Sequence, residues 1–295
     1  MRHSTIAAGL LLTASGLLAA PATATPASDG GVTAARGGLR CETGLVGFDS
    51  GHHVRYDSVV NGRVVKRLVT STTLPVDVTA WGYYDASRDG HHTRFELDVV
   101  TTDGVPRRVT LNYGRHTLKA GNVKKYDQRS FTPRLFADNY TYYAYTVTGA
   151  TLKRWTLTRY PDGDERYAQP VKVGGGFRDL TSLQATAVAK VHGRWNEYLY
   201  ATTTSGELLQ IVVPIDHPGQ AKVHRLARSG YTGVTELSWT VCNPDGKGDL
   251  HSLIAVDPAG NRASWTTIKH AYTKPRAKPR GDLTGETDWQ LTAAL

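Results

Sequence analysis

Only two cysteines, one methionine and five phenylalanines occur among the 295 residues. Two thiols cannot by themselves complete a four-ligand zinc site, and one bridge is too few to define a disulfide scaffold. Charged residues are scarce at 21%, against 40% apolar, which excludes an intrinsically disordered chain. After residue 20 no apolar run approaches the ~20 residues of a membrane-spanning helix. The sequence holds no G-x-S-x-G elbow and no H-E-x-x-H pair. Gly174-Gly175-Gly176 is not followed by the Lys-Ser/Thr of a phosphate loop. The common signatures of serine hydrolases, zinc peptidases and nucleotide binding are therefore missing.

What is present begins with an export signal. Arg2 precedes an apolar stretch from Ile6 to Ala20, and Ala22-Thr23-Ala24 offers the small-x-small cleavage pattern. Residues 1–24 are read as a signal peptide and 25–38, rich in Ala, Thr, Gly and Pro, as a flexible leader. An extracellular protein is expected, and with it oxidation of Cys41 to Cys242. The formal charge is +9, but Lys269, Lys274, Arg276, Lys278 and Arg280 supply five of those charges. They sit in or beside the Pro-punctuated run 274–280, so residues 271–295 are read as a basic, extended, solvated tail. The sharper reading is salt-sensitive attraction of that tail to an anionic cell-wall polymer or acidic glycan. The remaining body is too weakly charged for a nucleic-acid surface, and no nucleic-acid partner is expected.

Strand signals dominate the body. Val, Thr, Tyr and Trp alternate with period two, broken by frequent turns. Five hairpins can be read at the turn glycines Gly62, Gly104, Gly149, Gly206 and Gly260, spaced 42, 45, 57 and 54 residues apart. Phe177-Arg178-Asp179-Leu180-Thr181-Ser182-Leu183 is echoed by Tyr231-Thr232-Gly233-Val234-Thr235-Glu236-Leu237. Gly51-His52-His53-x-Arg55 is echoed by Gly90-His91-His92-x-Arg94. Periods of this length in an all-β chain predict a five-bladed β-propeller of four-stranded antiparallel blades over residues 39–270; a β-sandwich is the alternative. In a ring, Cys41 and Cys242 come side by side, and their bridge would clasp its two ends.

Two resemblances follow from these segments. Asn243-Pro244-Asp245-Gly246-Lys247-Gly248-Asp249-Leu250, with Ala255-Val256-Asp257 behind it, resembles the N-x-D-G-x-x-D-L core of FG-GAP (VCBS-type) repeats. That likeness implies a propeller with calcium in the loop. The aromatic-x-x-aliphatic-x-x-Leu segments resemble those of the tachylectin-like lectins. This second likeness implies five blades with amino-sugar sites between them.

Calcium takes six to eight oxygens. Asn243, Asp245 and Asp249 offer three side-chain donors, and the Lys247 carbonyl a fourth. An Asx-type turn capping its own backbone is the competing reading of that loop. The turn is the favoured reading, so no cofactor is expected, with calcium as the alternative. The paired histidines follow glycine at turns and are read as solvated rather than as ligands. Asp162-Gly163-Asp164-Glu165 has the carboxylates a glycosidase needs but reads as an exposed loop. Trp81, Trp155, Trp195, Trp239 and Trp265 recur through the hairpins, where flat rings stack sugars or fill the wedge between blades. Phe177 and Tyr231 are the expected ligand-facing rings, with Asp179 and Thr232 as polar partners. The expected function is a secreted, monomeric, non-enzymatic carbohydrate-binding propeller, associated with the cell wall. A polysaccharide hydrolase or lyase and a cell-envelope interaction scaffold are the alternatives.

Overall fold

The structure, a computed structural model, describes residues 40–49, 51–71, 73–74, 78–89, 92–114, 116–128, 130–138, 143–159, 165–242 and 249–285. The expected signal peptide and leader lie outside the described residues. Among the described residues, no helix is long and apolar enough to cross a membrane.

Each glycine-marked turn folds as the expected hairpin; in four antiparallel sheets the hairpin is the middle pair, and in the first it includes an edge strand. The first sheet is β1 (Glu42–Phe48), β2 (Val54–Val60) and β3 (Arg63–Val69). The second runs β4 (Val78–Asp89), β5 (His92–Thr101), β6 (Arg107–Tyr113) and β7 (Leu118–Lys125). The third is β8 (Leu135–Asp138), β9 (Tyr143–Thr148), β10 (Thr151–Arg159) and β11 (Glu165–Gly174). The fourth is β12 (Leu180–Val191), β13 (Arg194–Thr203), β14 (Leu208–Pro214) and β15 (Lys222–Ala227). The fifth is β16 (Glu236–Val241), β17 (His251–Asp257), β18 (Arg262–Lys269) and β19 (Arg276–Asp282). Gly62, Gly104, Gly149 and Gly206 take positive φ at their turns, whereas in the fifth hairpin Asn261 does so at 46° in place of Gly260. Both residues tolerate the left-handed region.

The five sheets are the blades of a propeller, and the arrangement follows from where their apolar faces can go. The opening strands lie side by side around the axis: β4 beside β8, β8 beside β12, β12 beside β16, and β16 beside β1. Instead of one core there are five, one at each blade junction. Val46, Tyr56, Phe95 and Leu111 fill the first junction, between blades 1 and 2. Val100, Tyr126, Phe136 and Tyr167 fill the next, and Tyr145, Leu152, Leu199 and Ile211 the third. Tyr200, Tyr231, Leu237 and Ile268 lie between blades 4 and 5. Leu45, Val59, Ile254 and Val256 join blade 5 to blade 1. Alternate residues of a strand serve opposite neighbours.

At that last junction the ring closes. Cys41 and Cys242 form the expected disulfide, with Cα atoms 4.3 Å apart across 201 positions of sequence. The Ser238 hydroxyl donates to the Gly44 carbonyl at 2.5 Å, and Thr43 donates to Ser252 at 3.3 Å.

The propeller reaches past the boundary expected at residue 270. Residues 276–282, read from the sequence as part of a solvated arm, pair with β18 as the outer strand of blade 5. Pro279 is tolerated there because an outer strand has one unpaired side, where a missing N–H costs nothing. The chain then crosses to blade 1, where the Val64 amide donates to the Thr284 carbonyl at 2.9 Å and the Thr284 amide to the Gly62 carbonyl at 3.0 Å. Four blades have four strands, and the first has three among the described residues.

The clasp yields a stability prediction. A cross-link over a loop of this length contributes ~5 kcal/mol as an upper bound. The Cys41→Ser/Cys242→Ser variant should fold and lose about 2–4 kcal/mol in guanidinium unfolding; an unchanged midpoint would show that the seam holds without its bridge.

Candidate functional site

The interior of the ring is more polar than its strand pattern implies. Asp57 and Arg67 stand directly opposite each other on β2 and β3, as do Asp98 and Arg108 on β5 and β6. Asp57 is five residues before its turn glycine and Asp98 six before its own. Because side chains alternate, this one-residue offset sends the two pairs to opposite neighbours.

Asp57 lies toward blade 5, held by Arg55 at 2.6 Å and Arg67 at 2.9 Å. Asp98 lies toward blade 3, bound by Arg108 at 3.0 Å and by the Tyr126 hydroxyl at 2.7 Å. Tyr167 also donates to Asp98. Burial raises the Asp98 carboxyl above its ordinary range, opposed by Arg108 and both tyrosines. Arg108 continues to Glu165 at 2.8 Å. Glu165, the last member of the acidic run, is thus buried in an ion pair; the other three lie outside the described residues. Between blades 3 and 4, Arg154 reaches Glu197 at 3.3 Å and Tyr145 donates to the same carboxylate. Between blades 4 and 5, His251 Nδ1 is 2.8 Å from the Tyr200 hydroxyl and its Nε2 is 3.0 Å from that of Tyr272. Two of these pairs, Arg108–Glu165 and Arg154–Glu197, cross from one blade to the next.

Glu236 differs. It opens β16 and faces blade 1, and among the described residues neither carboxyl oxygen has a hydrogen-bond partner. Burial raises its proton affinity far above the ordinary carboxylate range; Arg55 opposes this and Asp57 adds to it.

The expected ligand-facing rings lie inside. Phe177 is 8% exposed in the core between blades 3 and 4, and Tyr231 is 3% exposed between blades 4 and 5. The Tyr231 hydroxyl bonds Thr266 at 2.7 Å. Asp179 and Thr232 are exposed. The echo between the two segments has a packing cause. The Phe177 amide donates to the Ala150 carbonyl and that of Tyr231 to Gly206, both at 3.1 Å, so each ring seats its linker on a hairpin turn. Phe131 does the same on Gly104 at 2.9 Å. The sequence pattern missed it because Arg134 stands where the aliphatic residue was sought.

Of the calcium-loop residues, Asn243 and Asp245 lie outside the described residues, while Asp249 is exposed, 3.4 Å from His270 Nδ1. Among the described residues no group of three metal-ligating side chains occurs. His52 is exposed in the β1–β2 turn, and His53 Nδ1 lies 3.1 Å from Asp49. His91 is outside the described residues. Trp81, Trp155, Trp239 and Trp265 each pack half-buried against a blade junction, whereas Trp195 is 53% exposed.

An open recess lies at the rim between blades 4 and 5. Val223, His224, Arg225 and Leu226 on β15 form one wall, and Thr273, Lys274, Pro275 and Arg276 before and into β19 form the other, around about 480 Å³. Val223 is 49% exposed. Strand register places His224 opposite Gln210, on the face of β15 turned to blade 5 where Leu226 also packs, and Val223 and Arg225 opposite Ile211 and Leu209, on the face turned to blade 3; across the recess stands the wall of residues 273–276. This wall is built by residues that sequence reading assigned to a tail, and no motif marks them.

No family model matches the chain, and no curated relative does. Among solved structures, AofleA from Arthrobotrys oligospora matches 83% of this chain and 70% of its own, at 13% identity and a TM-score of 0.46. SapL1, a lectin solved with alpha methyl fucoside, matches over 82% of both chains at 10% identity and a TM-score of 0.36. The periplasmic gluconolactonase PpgL of Pseudomonas aeruginosa matches over 83% of both chains at 14% identity and a TM-score of 0.33. At these values the matches are likenesses of outline and assign no activity.

Glu236 yields a pH prediction. Its folded-state affinity for the proton exceeds that of an unfolded glutamate, near pH 4.3. The folded state is therefore favoured below that pH and loses stability as pH rises toward the folded-state value. Glu236→Gln should remove this slope, so that its advantage over wild type in thermal melting is larger at pH 8 than at pH 5. A difference independent of pH would show that Glu236 is ionised in the fold.

Proposed function

We propose that this chain is an exported, non-enzymatic carbohydrate-binding propeller whose ligand lies in the rim recess between blades 4 and 5. The observation that carries the reading is an open recess in which apolar Leu226 and Pro275 adjoin the polar residues His224, Thr273 and Lys274. Sugars present apolar C–H faces and hydrogen-bonding oxygens together, and their sites combine apolar contact with few oriented polar groups. The buried carboxylates Asp57, Asp98, Glu165 and Glu197 support binding over hydrolysis, because each is engaged by arginine inside a blade junction. The disulfide fits an oxidising, extracellular setting.

The chain acts as a monomer. A glycan array probed with folded protein should show retention that His224→Ala weakens several-fold. Retention at background, or turnover of polysaccharide or ester substrates, would remove this reading.

A further inference from the structure

Among the described residues no strand pairs with the outer edge of β3 beyond Val64, whereas each of the other four blades has a fourth strand. An open edge pairs readily with foreign backbone, and proteins shield such edges with charge or proline. Three outer strands of this propeller follow that rule, through Lys119 and Lys125 on β7, Lys222 and Arg225 on β15, and Lys278 and Pro279 on β19. The β3 strand departs from it, because its cations are engaged elsewhere. The Lys66 ammonium bonds the Tyr113 hydroxyl at 2.7 Å, Asp57 holds Arg67 at 2.9 Å, and Arg63 lies where Thr284 crosses. What β3 exposes is Val65, at 53%, and Val69, at 45%.

The chain itself arrives at this edge. Leu283 packs into the seam between blades 5 and 1. Thr284 then bonds β3 on both sides of Arg63: its amide donates to the Gly62 carbonyl at 3.0 Å, and its carbonyl accepts from the Val64 amide at 2.9 Å. One residue bonded to both neighbours of its opposite number is the unit of a parallel ladder, and the bridge to Arg63 is parallel. In the sequence that follows, Glu286, Asp288 and Gln290 alternate with Thr287, Trp289 and Leu291, the period of a strand. These six residues hold two acids and no cation. The wall beside the edge is of opposite sign. Arg276 and Lys278 stand opposite Lys269 and Thr267, on the face of blade 5 turned toward blade 1.

We propose that the β3 edge is a docking site for the chain's own residues 286–290, which lie outside the described residues and complete blade 1 as a fourth strand parallel to β3. Five residues at about 3.3 Å each match the stretch from Val65 to Val69. Every second residue of such a strand bonds its neighbour, so after Thr284 the bonding residues are Glu286 and Asp288. On the β3 side, the Thr70 amide donates inward to the Val54 carbonyl at 2.9 Å, which turns the Val69 amide outward toward the added strand. The inference is independent of the ligand in the recess. It makes the seam a junction closed by backbone pairing as well as by the disulfide.

Amide hydrogen exchange tests the proposal, read at Val69, with Leu68, paired with Tyr56 of β2, as the internal standard for an intact blade. In the full chain the Val69 amide should exchange at least tenfold more slowly than in a chain ending at Gly285, while Leu68 stays within twofold. Asp288→Pro in the full chain removes a donor aimed at β3 and should bring Val69 to the rate of the shortened chain. Thr287→Pro removes an N–H that points away from β3 and should leave Val69 within threefold of wild type. Should the shortened chain fail to fold, the contrast between these two full-length variants decides. Equal Val69 exchange in full and shortened chains, or protection that survives Asp288→Pro, would overturn the proposal. Protection that rises with protein concentration would assign the edge to a second copy of the chain and overturn it as well.

Discussion

A single antiparallel blade has two largely apolar faces and can bury neither alone. The whole molecule depends on covering both faces of all five blades at once, and only a closed ring does so. The seam between blades 5 and 1 is therefore the critical junction, since it joins segments from opposite ends of the fold. Leu45 and Val59 meet Ile254 and Val256 there, and the Cys41–Cys242 bridge holds it covalently. The last described residues also reach across to the β3 edge through Thr284. Glu236 places an unsatisfied buried carboxyl in this same seam, so the closing junction is also where protonation bears on stability.

The blade junctions share apolar packing but not polar detail. Blade 2 meets blade 3 through a network of Asp98, Arg108, Tyr126, Tyr167 and Glu165. Blade 4 meets blade 5 through Tyr200, His251 and Tyr272. Buried ion pairs such as Asp98–Arg108 are costly to break and add little net stability when intact. Their distribution makes each junction distinct, so the interior chemistry of one cannot be transferred to the next. The open recess lies apart from these networks, at the rim between two outer strands.

The hairpins were legible because turn chemistry is local: Asn61-Gly62 and Ser205-Gly206 declare their conformations within two residues. The five-fold count followed from spacing alone. The aromatic echo at Phe177 and Tyr231 was also legible, but its meaning was not. The pattern recorded two linkers seated on hairpin turns, and buried rings produce the same repeat that ligand-facing rings would. The rim recess left no signal, because β15 and residues 273–276 are separated by most of a blade.

The charge run from Lys269 to Arg280 draws the same division sharply. Composition and order alone determined an all-β chain with five hairpins, a pair of cysteines for one bridge, and a surplus of cations near its end. Those are properties of neighbours along the chain, set by turn propensity, alternation and count. Whether the cations formed a loose arm or an ordered row was decided by tertiary structure. It depended on the free edge of β18, which exists only once blade 5 has folded against its neighbours and which pairs with backbone groups regardless of side chain. Hydrogen bonding across that edge converted a stretch rich in proline and lysine into a strand, and thereby into one wall of the recess.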